Sequence, residues 1–319
     1  MPGLFILSLD TEIAWGTYDP KALATHKSSF DNNRTLIRRL LALLDQYSIP
    51  ATFAVVGHLF LERCNGHPDV LQPHYAWAND PDSARDPCSD LEHAPWYYGP
   101  DIVAAIREAK SPHEIGTHTF THVLADDPAV TEAIWRSQLA KSEAIHAEHG
   151  LPMRSLVHPQ EKVAFTECLP DYGIIAYRGE ESKWYGSYPR PLARICHLLD
   201  RSLALPPPTY DLNRLCVNDG LVNLPASQFL MSYDGIRRWI PTASRVRQAR
   251  VGIDRAIKNE RLYHLWFHPF NLGSSDAMFV ALERILQEVA QQRDAGRLKV
   301  MTMAQAAQWI LDGMPDHAG

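Results

Sequence analysis

The sequence predicts an α/β protein in which a parallel sheet, open or closed into a barrel, is covered by helices. Three observations predict it. Short apolar runs rich in β-branched residues and Phe recur along the chain, and amphipathic stretches of helical period separate them. The length, 319 residues with 45% hydrophobic content, suffices for one large core. Length alone suggests about two domains, but α/β barrels commonly reach this size as one. No repeat, low-complexity segment or linker divides the chain, so residues 1–319 read as a single domain.

The first strand is LFILSL (4–9), which runs into the carboxylates of DTE. NRTLIRRLLALLDQY (33–47) is an amphipathic helix joining it to a second strand, ATFAVV (51–56). HEIGTH ends a third strand and SLVH (155–158) a fourth, with a helical pattern over 130–148 between them. GIIAY (173–177), after FTECLPDY, is a fifth. RLYHLWFH (261–268) is a late strand, followed by a helix over 276–296 and a final short strand, LKVM. Two long loops, at about 65–99 and 178–222, break the alternation. Loops of this length inside a compact domain are uncommon and usually functional.

Composition excludes several classes. A net charge of -6 offers no basic face for nucleic acid. No apolar run approaches the roughly 20 residues that cross a bilayer. The beginning, MPGLFILSLD, has no basic region ahead of an apolar one, which reads as cytoplasmic. The five cysteines contain no CxxC pair and read as reduced thiols with no zinc assigned. GxSxG, GxxxxGK[ST] and GxGxxG are absent, which removes the cheapest support for a serine hydrolase, a P-loop NTPase or a Rossmann dehydrogenase.

Three clusters carry chemistry at predicted strand ends, where such folds collect it. Asp10 and Glu12 in SLDTE fall on one face by the period of two. One can bind a metal while the other acts on water, although an isolated DxE is more often just an acidic strand end. In HEIGTHTFTH (113–122), His118 and His122 are four apart, so a helical turn would aim both rings at one ion. Chance proximity is the competing reading in a chain with 15 histidines. A zincin protease would place Glu directly after the first His, where this chain has Thr119. His268, in HLWFHPFNL, closes an apolar strand, and histidine is the residue type best suited to donate a proton near neutral pH.

The ordered set SLDTE, IPATFAVVG, EIGTHTFTH and a late strand closing with His268 resembles the polysaccharide deacetylase family, the NodB-homology group of carbohydrate esterases. The resemblance spans about 4–305. It implies a distorted (β/α)7-type barrel and a mononuclear site, for Zn2+ or another divalent transition metal, that removes an acetyl group from an amino sugar's amide. His118 and His122 match the two histidine ligands, Asp10 the general base and His268 the general acid. The common motif has two consecutive aspartates. Thr11 stands at the second here, so Glu12 is the expected third ligand, as in a D-x-E variant. The family's Arg-Pro-rich third motif is replaced by VHPQEK, where Gln160 or Glu161 occupies the region and Arg178 is a source of the missing charge.

The turn at Pro159 and Gln160 is expected to offer a backbone N–H to the oxyanion, and His158 is a spare ligand candidate. Trp77, Trp96, Tyr97 and Trp184, with Arg178, are expected to contact a carbohydrate, because aromatic rings cover the apolar faces of sugars; the same rings also serve to pin long loops. The implied substrate is an amino sugar of a glycan or of a nucleotide- or lipid-linked precursor. Two alternatives remain open at this point: a deformylase or cyclic-amide hydrolase on the same barrel, and a non-catalytic glycan-binding or assembly protein. Oligomeric state is not legible.

Overall fold

The computed structural model describes residues 1–77, 87–218 and 220–315; residues 78–86 of the first long loop, 219 of the second and 316–319 lie outside the described residues. β1 (Gly3–Thr11) is followed by α1 (Pro20–Asp31), α2 (Asn33–Tyr47), β2 (Thr52–Val55), α3 (Pro100–Glu108), β3 (Glu114–Thr117), α4 (Glu132–Glu148), β4 (Ser155–Val157) and β5 (Ala176–Arg178). Then come α5 (Arg190–Ser202), the short strands β6 (Tyr210–Asp211), β7 (Cys216–Asn218), β8 (Leu221–Asn223) and β9 (Gln228–Phe229), and α6 (Thr242–Asn259). β10 (Arg261–Phe267), α7 (Asp276–Asp294), β11 (Leu298–Met301) and α8 (Met303–Leu311) complete the series.

The sheet is the expected curled, parallel one. β10, β1, β2, β3, β4, β5 and β8 neighbour one another in that order and run parallel. The segment 221–230 then bends from one edge to the other. Leu224 N–H donates to Tyr177 O (2.9 Å) and Ala226 N–H to Gly179 O (3.0 Å), on the β5 side. Ser227 N–H donates to His264 O (2.8 Å) and Leu230 N–H to Trp266 O (2.9 Å), on the β10 side. One bent segment therefore fills the seventh strand position, and the barrel is distorted because that segment must serve two edges.

Alternation on the strands sorts side chains into two layers. Phe5, Leu7, Leu9, Phe53, Val55, Tyr263, Leu265 and Phe267 face outward and join one core with α2, α6 and α7. Leu4, Ile6, Ala54, Val157, Ala176, Val222 and Leu262 face inward and pack against α8. That helix stoppers the end of the barrel where the strands begin. Its first turn is anchored from inside, since Glu114 Oε2 accepts from Ala304 N–H (2.9 Å) and from Thr52 Oγ1 (2.8 Å). The opposite end stays open, and β1 and β10 deliver Asp10 and His268 there.

Two details differ from expectation. The fifth strand begins at Ala176 rather than Gly173, because Gly173 ends the helical turn Thr166–Tyr172 in a left-handed conformation (φ 72°). Directly after the first long loop, α3 begins at Pro100 behind Gly99, a helix the polar and aromatic run preceding it conceals. No helix among the described residues is long and apolar enough to cross a membrane.

Candidate active site

β1 ends at Thr11, and the chain turns sharply at Ile13 (φ 52°). Glu12 therefore sits on a bend, its carboxylate folded back over the barrel mouth. Gly16 makes room for it: a Cβ there would lie 2.3 Å from Glu12 Oε1. Glu12 Oε2 is 2.9 Å from His122 Nε2 and 3.2 Å from His118 Nε2. Gly16→Ala is expected to displace this carboxylate and weaken metal binding at least tenfold, measured by competitive chelator titration. Unchanged affinity would mean that the bend yields without moving Glu12.

The histidine pair does not lie on a helical turn, which corrects the sequence expectation. Thr119 (φ 63°) and His122 (φ 58°) are both left-handed, so 118–122 is a looped segment. Tertiary bonds hold it there: Gly57 N–H donates to Thr119 O (2.8 Å), His58 N–H to Phe120 O (3.0 Å) and Thr121 N–H to Gln138 Oε1 (2.9 Å). The two rings still meet, edge to face, at 4.9 Å between centroids.

Outer hydrogen bonds fix both tautomers. His118 Nδ1 is 2.8 Å from Val157 O, a pure acceptor, so Nδ1 carries the proton and Nε2 presents a lone pair. Tyr18 Oη donates to His122 O (2.6 Å), and so accepts from His122 Nδ1–H (2.9 Å). Three lone pairs, from Nε2, Nε2 and Oε2, thus converge on one point, with ligand atoms all within 4.8 Å. Such an arrangement can hold a cation, and two imidazoles with one carboxylate suit a divalent transition metal with an open position. Burial raises the Glu12 carboxyl, but the His122 and His268 imidazoles and the bonds from His118 and His122 outweigh it and hold the group well below the carboxylate range. Burial pushes His122 down, toward the neutral form that ligates.

Asp10 lies deeper and is paired. Arg178, from β5, donates to both its oxygens (2.6 and 2.7 Å) and to Ser8 Oγ (3.0 Å). Ser8 in turn donates to His264 Nε2 (2.8 Å), whose Nδ1–H goes to Leu224 O (2.9 Å) on the closing segment. Burial pushes His264 down to about 3, so it stays neutral and the chain of bonds runs one way. Burial raises Asp10, yet the Arg178 charge and hydrogen bond bring it below its usual value. Arg178 is 1% exposed and stacks on Trp266, 4.1 Å from the ring centroid. The expected substrate contact by Arg178 is therefore corrected: its guanidinium is engaged by Asp10 and Ser8 inside the barrel.

His268 Nε2 lies 3.9 Å from Asp10 Oδ2 and 3.6 Å from Glu12 Oε1, on the rim of a cleft of about 380 Å³. Glu12, Tyr18, His26, Gln160, His268 and Phe270 are among its lining residues. In the turn Pro159–Glu161, proline lacks an N–H and Glu161 N–H is bonded to His158 O (3.0 Å). Gln160, at a left-handed φ of 53°, holds the turn's remaining N–H and is one of the residues lining the cleft. His158 is no spare ligand. It stacks on Trp135 at 5.3 Å and donates from Nε2 to Ala164 O (3.1 Å), and burial pushes its pKa to about 3.

None of the four aromatic residues expected at the substrate lines this cleft. Trp96 donates to Asp31 (3.0 Å) and packs on Phe30, and the Tyr97 ring packs edge-on against Trp15. Trp184 lines a different hollow with Glu181, Asp200 and Arg201. Trp77 comes nearest: it stacks on Tyr75 and meets edge-on the Tyr18 ring that holds His122. Trp96 and Tyr97 pin the first loop to the barrel, whereas Trp77 and Trp184 are about half exposed. Tyr18 and Phe270 are what the sequence reading missed. Ser8 and His264 were findable, since period two puts them on the inward face with Asp10 and His268.

Residues 21–160 match the model of the polysaccharide deacetylase family, a span that includes His118, His122 and Gln160. No curated protein matches the sequence. A candidate polysaccharide deacetylase from Mycobacterium smegmatis shares the fold at TM-score 0.62 and 17% identity, over 98% of this chain and 92% of that one. A counterpart from Pseudomonas aeruginosa PAO1 gives 0.59 at 11% identity, over 98% and 92%. PuuE allantoinase gives 0.58 at 11% identity, over 98% and 91%. At such identities the likeness is one of fold. The family match covers residues 21–160, less than half of the chain, and the barrel as a whole has the fold of these solved structures.

Proposed function

We propose that the protein is a metal-dependent hydrolase that removes an N-acetyl group from an amino sugar of a glycan or glycan precursor. The observation that carries this reading is the meeting of Glu12, His118 and His122 lone pairs at one point, beside an Asp10–His268 pair 3.9 Å apart. A divalent ion such as zinc, held by Glu12, His118 and His122, would polarise the amide carbonyl and make water acidic enough to attack at neutral pH.

The chain's own groups do the rest. Asp10, oriented on both oxygens by Arg178, takes the proton of the attacking water. Gln160 N–H faces the oxygen on which charge develops, a donor fixed before reaction. His268 stands at the cleft rim, where it delivers a proton to the departing amine; an amine leaves poorly without one. Tyr18 and Phe270 offer flat apolar faces for a sugar ring, and a cleft of about 380 Å³ lies in the range of small-molecule sites.

The test pairs metal analysis with an assay. Glu12→Ala is expected to bind one metal equivalent fewer than the wild type and to lose hydrolysis of N-acetylated amino sugars, supplied as oligomers and as nucleotide-linked monomers. Metal retained in that variant would place the third ligand elsewhere. A metal-loaded wild type inert toward N-acetyl, N-formyl and cyclic amides would overturn the enzyme reading in favour of glycan binding alone.

A further inference from the structure

We propose that the protein carries a second metal site, a structural zinc held by His58, Cys64 and His67 with Cys88 as fourth ligand. The first three bring one ligand atom each to within 4.8 Å of the others. Ligand atoms on a tetrahedral zinc are about 3.3–3.8 Å apart, given bonds of roughly 2.0–2.3 Å. Closure on an ion therefore needs a contraction of about 1 Å, within reach of side-chain rotation.

The backbone is arranged around that point. His58 is fully buried in the turn Gly57–Phe60 that follows β2. Its Nδ1 is 2.9 Å from Tyr97 O, which only accepts, so Nε2 is the ligand atom it turns to the cluster. The segment 62–64 pairs antiparallel with 89–91, through Leu91 N–H to Glu62 O (2.9 Å) and Cys64 N–H to Ser89 O (3.0 Å). That pairing carries Cys88 alongside: its Sγ is 3.8 Å from where a Cβ on Gly66 would stand. Gly66 takes the left-handed turn (φ 92°) that brings His67 round. Tyr98 Oη accepts from Ser89 N–H (2.9 Å) and lies 3.2 Å from Cys64 Sγ, placed to donate to a thiolate.

Two imidazoles and two thiolates select zinc over the oxygen-loving cations, and four protein ligands leave no open position. Such a site is structural. What it would brace is the wall behind the barrel mouth. The His58 and His67 rings pack on Phe120 at 5.7 and 4.7 Å, and Phe120 lies between His118 and His122. The sequence hides this set because its cysteines form no CxxC and its members come from two sides of the first long loop.

Cobalt substitution of the full chain tests it. Only a centre with cysteine gives a near-ultraviolet thiolate-to-cobalt charge-transfer band, and the Glu12, His118, His122 centre has none. The readout is thus independent of the proposed hydrolase. The band is expected in the wild type and in Glu12→Ala, lost in Cys64→Ser and weakened in Cys88→Ser. Its absence from the wild type, or its survival in Cys64→Ser, would overturn the proposal. Thiol counting on the native chain serves where Cys64→Ser does not fold. Zinc should shield Cys64 and Cys88 from a thiol reagent, and chelation should expose both. A Cys64–Cys88 disulfide in non-reducing peptide maps, or reactivity indifferent to chelation, would also overturn it.

Discussion

In His268→Ala, turnover on an N-acetylated amino sugar is expected to fall about 10²- to 10⁴-fold while bound metal stays at the wild-type level. The ring stands at the rim of the cleft, about one-fifth exposed, and its Nε2 is more than 3.5 Å from either carboxylate. Its removal therefore strands neither carboxylate and takes from Asn271 only one long contact (3.5 Å), so the loss would be one of proton delivery rather than of fold. Asp10→Asn should cost a comparable factor, and the double variant little more than either single one, because groups that act in one transition state are not additive. Turnover within threefold of wild type in His268→Ala would take the ring out of the reaction and favour a protein that only binds its ligand.

Arg178→Met is expected to destabilise the fold by about 3–5 kcal/mol, the cost typical of removing one partner from a buried ion pair. The carboxylate left behind is the reason: Asp10 is 2% exposed, and both of its oxygens lose their donors. Denaturant titration reads the loss. Adding Asp10→Asn should restore much of it, since the stranded charge goes with the substitution, and the coupling of the pair follows from the cycle. A single variant as stable as the wild type would mean that water or another cation reaches Asp10 and that the barrel interior is wetter than its packing shows. Activity should fall in Arg178→Met even where the protein stays folded, because nothing then orients the carboxylate proposed to take the water's proton.

Much of this arrangement was legible in the sequence. The strand-helix alternation gave the class, and the strand ends gave Asp10, His118 and His268, because inward positions at the open end of a parallel barrel follow from period two and chain direction alone. The resemblance to a D-x-E variant of the family, rather than the spacing alone, singled out Glu12, whose carboxylate meets both histidine rings. The helical geometry assumed for HEIGTHTFTH was wrong although the pair it selected does converge: spacing along the chain cannot reveal that Gly57, His58 and Gln138 bend the segment into a loop. Aromatic content marked the long loops but did not reveal that none of Trp77, Trp96, Tyr97 and Trp184 lines the cleft beside Glu12 and His268, since an indole ring that anchors a loop and one that faces a cleft read alike in a string of letters.

The amino-acid order by itself determined which residues face the barrel's interior and which end of each strand they occupy, because side-chain direction is a local consequence of backbone period. Only the tertiary structure decided what those residues touch. Arg178 could be a substrate contact or the partner of a base until β5 was set across the barrel from β1. Glu12 could reach a shared metal only if residue 16 left space for it. Cys88 came beside the turn at Gly66 only when 62–64 paired with 89–91. The meetings of Arg178 with Asp10 and of Cys88 with the turn at Gly66 join residues far apart in sequence and depend on how strands and loops close, which no local pattern encodes.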